Sequence, residues 1–406
     1  MGKNFVFISP TFPKTYYQFP QAWKRIGGTS LCIGEDYYDS LSEEMKNACD
    51  EYYRVDNMQD YDQMYRAVAW FAHKHGKIDW LESNNEFWLE QDAKLRTDFN
   101  ITSGDNETSV MRYKTKSNMK AYYEKANVPV ARYHLVSTYE EGKKFVDLVG
   151  YPVIVKPDDG VGANTTWKIK NDKQLKDFYK QNIQTQYIME EFVPGSIVSF
   201  DGIVDQDNNI IFQTSHVFPE PIMDIVNSAD ECWYYSEREI PKDLVEMGTR
   251  VIKAFDIRGR FFHTEYFRLY EDKEGLGKKG DLVGLEVNMR PPGGYTPDMM
   301  NYANDINVYL IYANMAMYNE GLYKTDRPYH CVYVGRRDKY NGLYTNGSTS
   351  IFSKYGQSIV MHERMPDLLS SAMGNEFYIA RFKTKKEVKD FVNFVYKKDK
   401  VKTTGN

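Results

Sequence analysis

Two stretches of the sequence place polar side chains at every second position. Glu286, Asn288 and Arg290 follow one another in this way, and His263 and Glu265 do so in the stretch before them. Because alternate residues of a strand share one face, each stretch would present its groups together. If the two strands pair, two carboxylates and an amide oxygen converge beside an arginine. Such oxygen ligands suit Mg²⁺, which takes its remaining ligands from phosphate and water.

A cluster of salt bridges on a solvated strand face is the alternative interpretation of this pattern. The sequence Pro291-Pro292-Gly293-Gly294 follows directly and weighs against it. Prolines end a strand, and glycines let the backbone pass close to a ligand. We therefore favour a metal site made by Glu265, Glu286 and Asn288.

A second pattern could hold phosphate. Lys156 follows the apolar run Val153-Ile154-Val155 and precedes a glycine-rich turn that contains Gly160 and Gly162. A fixed cation beside exposed backbone N–H groups can grip a phosphate. On its own, the pattern is also typical of an ordinary surface lysine. It is not a P-loop, because no Gly-Lys-Ser/Thr opens a helix there.

Taken in order, these segments resemble the ATP-grasp superfamily, in particular ligases similar to the carbamoyl-phosphate-synthase large chain and the bacterial L-amino acid ligases. The resemblance covers residues 1 to about 325. Lys116 with the later Val128-Pro129 resembles the family's first lysine and its turn, and Glu190-Glu191-Phe192-Val193 resembles its hinge. The run from Glu286 to Gly294 is close to the family's E-x-N-x-R-x-x-G ending.

The resemblance implies nucleotide-binding roles at the matching positions. Lys116, with Lys114 as second choice, and Lys156 would hold the phosphates. The glycine loop with Gly160 and Gly162 would close over them. At the hinge, a carboxylate or carbonyl would accept the adenine amino proton, and the Val193 N–H would donate to the ring. The implied nucleotide-binding residues are Lys116, Lys156, Gly160, Gly162, Glu190, Glu191, Val193 and Asp201.

The resemblance also implies roles for the first pattern. Glu265, Glu286 and Asn288 would bind magnesium, and Arg290 would contact the transferring phosphate, so that Arg290 and Lys156 are the implied catalytic residues. Two features depart from the family. Gly195-Ser196-Ile197 stands where relatives carry a ribose-binding glutamate, so either Asp201 takes that role or the ribose is held from elsewhere. Ala163 stands where serine is common.

The implied activity is an ATP-dependent ligase with Mg²⁺ as cofactor and Mn²⁺ as a possible substitute. It would activate a small-molecule carboxylate as an acyl phosphate and join it to an amine or another nucleophile, with an amino acid or peptide among the candidates. A phosphoryl transferase on the same fold and a non-catalytic ATP-binding regulatory protein are the alternatives. The identity of both substrates stays open.

The order of strands and helices that would position these groups predicts a fold that combines α/β and α+β parts. Strands alternating with helices predict a small, mostly parallel α/β sheet over residues 1–105, which by the resemblance would be a Rossmann-like domain. By the resemblance, an ATP-grasp domain follows at 106–325, with a nucleotide-gripping part near 116–190 and a metal-binding part near 191–325. A small C-terminal lobe would occupy 326–406.

Composition excludes several classes of protein. Net charge is -5 across 406 residues, so no global field attracts nucleic acid or an anionic membrane. No apolar run approaches the roughly 20 residues of a membrane span, and the first residues do not form a signal peptide. Four cysteines without paired spacing predict reduced thiols in the cytoplasm. A homodimer is the base-rate expectation for assembly.

Four candidates remain undecided from the sequence. His216 could lie in a loop that reaches the acceptor, and His263 could orient a ligand or be structural. Arg336-Arg337 could bind a substrate carboxylate or be a solvated pair. Asn84-Asn85-Glu86 follows a strand of the N-terminal domain and could lie near the substrate, although capping of a helix N-terminus explains Asn85 equally well.

Overall fold

The N-terminal part of the chain is a small parallel sheet with helices. The computed structural model describes residues 2–159, 166–219, 230–321 and 326–399. Its first four strands are β1 (Asn4–Ile8), β2 (Thr29–Gly34), β3 (Glu51–Arg54) and β4 (Trp80–Glu82), in the order β3-β2-β1-β4 and all parallel. Helices α1 (Gln18–Arg25), α2 (Glu43–Ala48), α3 (Tyr61–His75) and α4 (Leu89–Asp98) accompany them. The strand β1 is buried along its whole length, as expected for a parallel sheet covered on both faces.

A second sheet carries the proposed phosphate lysine. It consists of β5 (Tyr133–Leu135), β6 (Val153–Pro157), β7 (Trp167–Ile169) and β8 (Tyr187–Glu191), in the antiparallel order β5-β8-β6-β7. Helices α5 (Lys116–Lys125), α6 (Tyr139–Val149) and α7 (Asp172–Tyr179) lie in the same segment. Lys156 is therefore inside β6, and the neighbouring strand β8 leads into the hinge-like sequence.

The largest sheet among the described residues carries the proposed metal ligands. Its order is β14-β13-β9-β11-β12-β15-β17-β16, with β10 paired to β9. Its strands are β9 (Gly195–Val204), β10 (Ile210–Thr214), β11 (His216–Phe218), β12 (Cys232–Ser236), β13 (Arg260–Leu269), β14 (Leu282–Asn288), β15 (His330–Arg336), β16 (Ile359–Arg364) and β17 (Glu376–Phe382). The associated helices are α8 (Lys242–Phe255), α9 (Thr296–Asn304), α10 (Val308–Tyr318), α11 (Ser348–Tyr355), α12 (Asp367–Met373) and α13 (Lys385–Tyr396). Short 3₁₀ turns span Tyr38–Ser40, Glu86–Trp88, Ser109–Tyr113 and Asp338–Tyr340.

The strands of the predicted C-terminal lobe extend this same sheet. Strand β15 pairs antiparallel with β12, with Tyr234 opposite Tyr333, and β17 and β16 follow outward. The segment after residue 325 is thus continuous, through backbone hydrogen bonds, with the sheet that contains β13 and β14. Its position in the sheet places α12 beside the cavity described below.

The N-terminal domain packs directly onto the large sheet. The ring of Phe19 lies 5.8 Å from Phe261 and 4.8 Å from Tyr309 between centroids. The Trp80 indole N–H donates to the Tyr312 hydroxyl at 2.9 Å. Burial of these large rings fixes the two bodies against each other. In the described ranges, no helix combines the length and the apolar character needed to cross a membrane.

Candidate active site

The two proposed magnesium carboxylates lie directly opposite each other. Strands β13 and β14 pair antiparallel, with Glu265 opposite Glu286 and His263 opposite Asn288. Side chains in such cross-strand positions have Cβ atoms about 5 Å apart, close enough for both carboxylates to reach one ion. The strand pairing on which the proposed metal site depends is therefore present.

The proposed phosphate lysine faces these carboxylates across a cavity. Lys156 Nζ lies 2.6 Å from Glu190 Oε2. Burial alone would lower the pKa of Lys156, but the carboxylates of Glu190 and Glu286 outweigh burial and raise it above its usual value. Glu265 contributes in the same direction. The cation is thus held charged between the hinge strand and the proposed metal ligands.

A second buried lysine, Lys120 of α5, shares the Glu190 carboxylate. It forms an ion pair with Glu190 Oε1, and only 2% of its side chain is exposed. Burial lowers the pKa of Lys120, and Glu190 offsets part of that effect. Burial would raise the pKa of Glu190, but Lys120 and Lys156 lower it to about 2. Lys120 did not stand out in the sequence, because one lysine within a helix carries no distinguishing local pattern.

The structure distinguishes between the two candidates for the first lysine. Lys114 forms ion pairs with Glu90 and with Asp159, the latter at 3.1 Å. It does not line the cavity that contains Lys156, whereas Lys116 does. The backbone N–H of Lys116 donates to the Asp158 carbonyl at 2.9 Å, which ties the start of α5 to the end of β6. Position therefore favours Lys116.

Arg290 meets a carboxylate from the N-terminal domain. Its Nε lies 3.3 Å from Glu86 Oε2, which is close enough for an ion pair although the atoms are not aligned for a hydrogen bond. Burial raises the pKa of Glu86, Arg290 lowers it, and the nearby Glu286 raises it. The net shift is upward. Glu86 is thus part of the same charged cluster as the proposed catalytic arginine.

The hinge residues differ in what they offer a nucleotide. Both carboxylate oxygens of Glu191 accept from Arg132, at 3.0 Å and 2.7 Å, and both oxygens of Glu190 face lysines. Neither carboxylate is therefore open to an adenine amino group. The backbone of this stretch remains the candidate, and Val193 lines the cavity.

Asp201 occupies a position that does not support ribose binding. Its side chain is fully buried and does not line the cavity. It accepts from Ser199 Oγ at 2.5 Å and contacts His216 Nδ1 at 2.7 Å and His263 Nδ1 at 2.5 Å. These partners occupy both carboxylate oxygens. Asp201 therefore stabilises the protein interior, and the sequence interpretation of Asp201 as a ribose ligand is wrong.

The two histidines belong to this internal network. His263 Nε2 lies 3.1 Å from Glu265 Oε1, so His263 links Asp201 to a proposed metal ligand. Burial would lower the pKa of His263, but Asp201 raises it to about 9. His216 lies in strand β11 and is fully buried. The interpretation of His216 as a loop residue that reaches the acceptor is therefore wrong.

Arg336 and Arg337 serve the C-terminal packing. Both are buried. Arg336 Nε donates to the Val395 carbonyl at 3.1 Å, and Arg337 donates to the carbonyls of Ser370 and Ser371 in α12. Neither lines the cavity. They are thus neither substrate ligands nor a solvated pair, and Arg337 instead holds α12 in place.

One cavity of about 420 Å³ joins most of these groups. Its lining includes the predicted residues Lys116, Lys156, Glu190, Glu191, Val193, Glu265, Glu286, Asn288 and Arg290. A second cavity of about 630 Å³, on the side of the N-terminal domain, meets the first at Lys116 and Glu286. The predicted loop residues Gly160 and Gly162, and with them Ala163, lie outside the described residues.

The donor set of the first cavity fits a magnesium ion. Glu265, Glu286 and Asn288 offer only oxygen donors, which hard cations prefer. Within the described ranges, no group of three or more His, Cys, Asp or Glu side chains is arranged to hold a metal. A site with two carboxylates and one amide needs phosphate and water to complete its shell, which agrees with a metal that binds together with a nucleotide.

Comparisons with known proteins agree on the domain and the fold. A family model described as an ATP-grasp domain matches residues 112–261. The L-arginine-specific L-amino acid ligase of Bacillus subtilis is 25% identical over 287 residues, which are 67% of this chain and 65% of that protein. The N-terminal section of the carbamoyl phosphate synthase large chain from Methanopyrus kandleri is 25% identical over 113 residues, which are 27% of this chain and 20% of that protein. The chain thus spans less than two thirds of the length of these curated relatives.

Solved structures resemble the chain over nearly its whole length. The L-amino acid ligase from Bacillus licheniformis superposes with a TM-score of 0.72 at 15% identity, covering 97% of both chains. The N5-carboxyaminoimidazole synthetase from Staphylococcus aureus superposes with a TM-score of 0.68 at 15% identity, covering 97% of this chain and 99% of that one. At such identities the likeness concerns the fold. Residues 112–261 therefore match the model of an ATP-grasp domain, and the chain as a whole has the fold of these solved structures.

Proposed function

We propose that this chain is an ATP- and Mg²⁺-dependent ligase that joins a carboxylate to an amine and releases ADP and phosphate. One observation carries the proposal: the paired carboxylates of Glu265 and Glu286 share a cavity with Lys156, and together with Glu190 they raise the pKa of that lysine. Acidic ligands and a charged lysine around one space are what a metal–polyphosphate complex requires.

The carboxylate must be activated before an amine can attack it, because hydroxide is a poor leaving group. In the first step, a carboxylate oxygen attacks the γ-phosphorus of ATP, and the bond from that phosphorus to the bridging oxygen of ADP breaks. In the second step, the amine nitrogen attacks the acyl carbon of the resulting acyl phosphate. The carbon–oxygen bond to phosphate breaks, phosphate leaves, and the nitrogen loses a proton.

The protein's contribution to these steps is charge neutralisation and alignment. Lys116 and Lys156 would bind phosphate oxygens, and Arg290 would contact the oxygens that gain charge during transfer. Glu265, Glu286 and Asn288 would hold the metal, which when bound supplies further neutralisation of phosphate charge. Glu86 would hold Arg290 in place from the N-terminal domain.

The substrates are proposed only as classes. The similar proteins include a ligase named for L-arginine and a ligase named for L-amino acids. We carry over from them a small-molecule carboxylate and an amine, with amino acids or peptides as the first candidates.

Incubation with ATP, MgCl₂ and pooled amino acids tests the proposal, with ADP and phosphate measured and products identified by mass spectrometry. ADP and free phosphate in equal amounts, with a condensed product, are expected. A stable phosphorylated product without free phosphate would instead indicate a phosphoryl transferase. Nucleotide binding without turnover on any pool would contradict the ligase function and indicate a non-catalytic nucleotide-binding protein.

A further inference from the structure

One wall of the active-site cavity is without charged side chains among the residues that the structure describes. We call it the apolar wall, and it consists of Phe218, Cys232, Tyr234, Leu369, Ala372 and Met373. Three of these residues come from strands β11 and β12, and the other three come from α12. The wall thus forms where the C-terminal segment adds to the large sheet.

Strand register places this wall beside the proposed metal ligands. Across the sheet, Phe267 of β13 pairs with Ile197 of β9, and Ile197 pairs with Phe218 of β11. Phe267 lies two residues along β13 from Glu265. Phe218 is therefore about 10 Å across the strands and about 7 Å along them from Glu265. The wall and the proposed metal ligands thus line different parts of the same cavity.

The wall presents rings and aliphatic groups. The ring of Phe218 stacks on Tyr234 with centroids 5.0 Å apart. The Tyr234 hydroxyl contacts Thr296 Oγ1 at 3.0 Å, so its polar end is already occupied. Leu369 and Met373 are only partly buried, which leaves apolar surface facing the cavity. These contacts offer an incoming polar side chain no ionised partner.

Glycine at position 294 lets α12 come close to the motif that holds Arg290. A Cβ at Gly294 would lie 2.7 Å from Met373 Sδ, and its φ is +65°. Any other residue would require the tip of the Met373 side chain to move and would strain the backbone at this positive φ. The wall is therefore built against the same turn that follows the proposed catalytic arginine.

The charged groups that the structure describes in the cavity lie on other elements, with His263 and Glu265 on β13, Glu286 on β14, Arg290 directly after β14 and Lys116 at the start of α5. Lys120, Lys156 and Glu190 belong to α5 and to the sheet that carries the hinge strand. An ionised side chain at the apolar wall would lose its hydration without gaining a partner among the described wall residues, which is costly. An apolar side chain would instead gain about 25 cal/mol for each Å² removed from water.

Resting on the proposed ligase function, we infer that the apolar wall binds the side chain of the carboxylate substrate, and that this side chain is apolar or aromatic, as in leucine, methionine or phenylalanine. This preference differs from that of the relative named for L-arginine. The arginine side chain carries a permanent charge, and the described residues of the wall include no carboxylate.

Trapping with hydroxylamine tests the carboxylate substrate separately from the amine. Hydroxylamine opens any acyl phosphate to a hydroxamate, so wild-type protein is assayed with ATP, Mg²⁺, hydroxylamine and one amino acid at a time. Leucine, methionine and phenylalanine are expected to exceed arginine, lysine and glutamate in kcat/KM by about tenfold or more. Hydroxamate formed best from charged amino acids would overturn the inference and leave the ligase function standing. The absence of ADP release with every carboxylate and amine would overturn the ligase function itself.

Two neighbouring leucines of α12 provide a matched pair of variants. Leu369 lines the cavity, whereas 75% of Leu368 is exposed and it lies outside the cavity lining. Leu369→Asp is expected to lower kcat/KM for leucine by about tenfold or more and to leave the KM for ATP unchanged, while Leu368→Asp behaves as wild type. Equal effects of the two variants on leucine would overturn the inference. Should Leu369→Asp fail to fold, Ala372→Leu is expected to narrow the site and shift preference from phenylalanine to smaller side chains, and an unchanged preference would overturn it.

Discussion

Replacing Glu190 by glutamine separates two roles for this residue, as a hinge ligand of adenine and as the counter-charge of two lysines. The structure favours the second role, because both carboxylate oxygens face lysines and the residue is 5% exposed. Glu190→Gln keeps the size of the side chain but leaves Lys120 and Lys156 without their carboxylate.

The cost can be worked out from the pKa of Glu190. A fall from 4.5 to about 2 corresponds to about 3 kcal/mol at 1.36 kcal/mol per unit. Breaking a buried ion pair by removing one partner costs about 3–5 kcal/mol. Because the pKa is lowered on folding, this stabilisation is present above pH 4.5 and is lost as pH falls through 2. At pH 7 we therefore expect Glu190→Gln to lower the free energy of unfolding by about 3 kcal/mol.

Nucleotide should then restore much of this loss. With the carboxylate gone, phosphate no longer competes for the lysines, so we expect ADP to bind the variant about tenfold more tightly, equivalent to about 1.4 kcal/mol. Urea unfolding at pH 7 with and without ADP and Mg²⁺ measures the stability, and isothermal titration calorimetry measures the affinity.

Glu82→Gln is the matched control. Glu82 is also buried between two cations, Arg96 at 2.8 Å and Arg260 at 3.2 Å, but it lines neither of the two cavities described above. This variant should lose comparable stability with unchanged ADP affinity. If ADP binds Glu190→Gln more weakly than wild type, the counter-charge argument is refuted and the hinge role is favoured.

Three further variants test the site and the domain interface. Glu286→Gln should abolish ADP release and raise the Mg²⁺ concentration required for nucleotide binding by about 100-fold, as measured by Mg²⁺ titration; full turnover would remove the metal assignment. Lys156→Ala should raise the KM for ATP by about 10- to 100-fold, since a charge-assisted hydrogen bond contributes about 1.5–3 kcal/mol; an unchanged KM would contradict the phosphate role. Burial raises the pKa of Asp298 to about 6 despite donors from Thr15, Gln18 and Tyr309. This contribution to stability is present below pH 3.8 and is lost as pH rises through 6. Urea unfolding should therefore show that the free energy of unfolding of the wild type declines between pH 4.5 and 7.5. The decline should be weaker in Asp298→Asn.

The sequence by itself determined the local geometry around Glu265 and Glu286. Alternation places Glu286 and Asn288 on one face of their strand. The polar turn between the two apolar strands makes those strands neighbours in a hairpin. Both properties depend only on the two-residue period of a strand and on a short connection. The parallel N-terminal sheet was predictable for a similar reason, since apolar runs alternate with helical segments.

Tertiary structure alone decided which distant residues meet. Ribose binding by Asp201 and acceptor contact by His216 were plausible from chain position, but sheet register brings the two together in the interior. Register depends on long-range pairing, and a shift by one residue would turn both side chains to the opposite face. No local pattern carries that information.

Long-range packing also decides the ion pairs of the cavity and the position of the apolar wall. Lys120 reaches Glu190 because α5 packs on the sheet that contains the hinge strand, and Glu86 reaches Arg290 because the N-terminal domain packs on the large sheet. The wall exists because β12 and β15 pair, which brings α12 against Gly294. Sequence periodicity fixes which face of an element a residue occupies, whereas the packing of whole elements decides what that face meets.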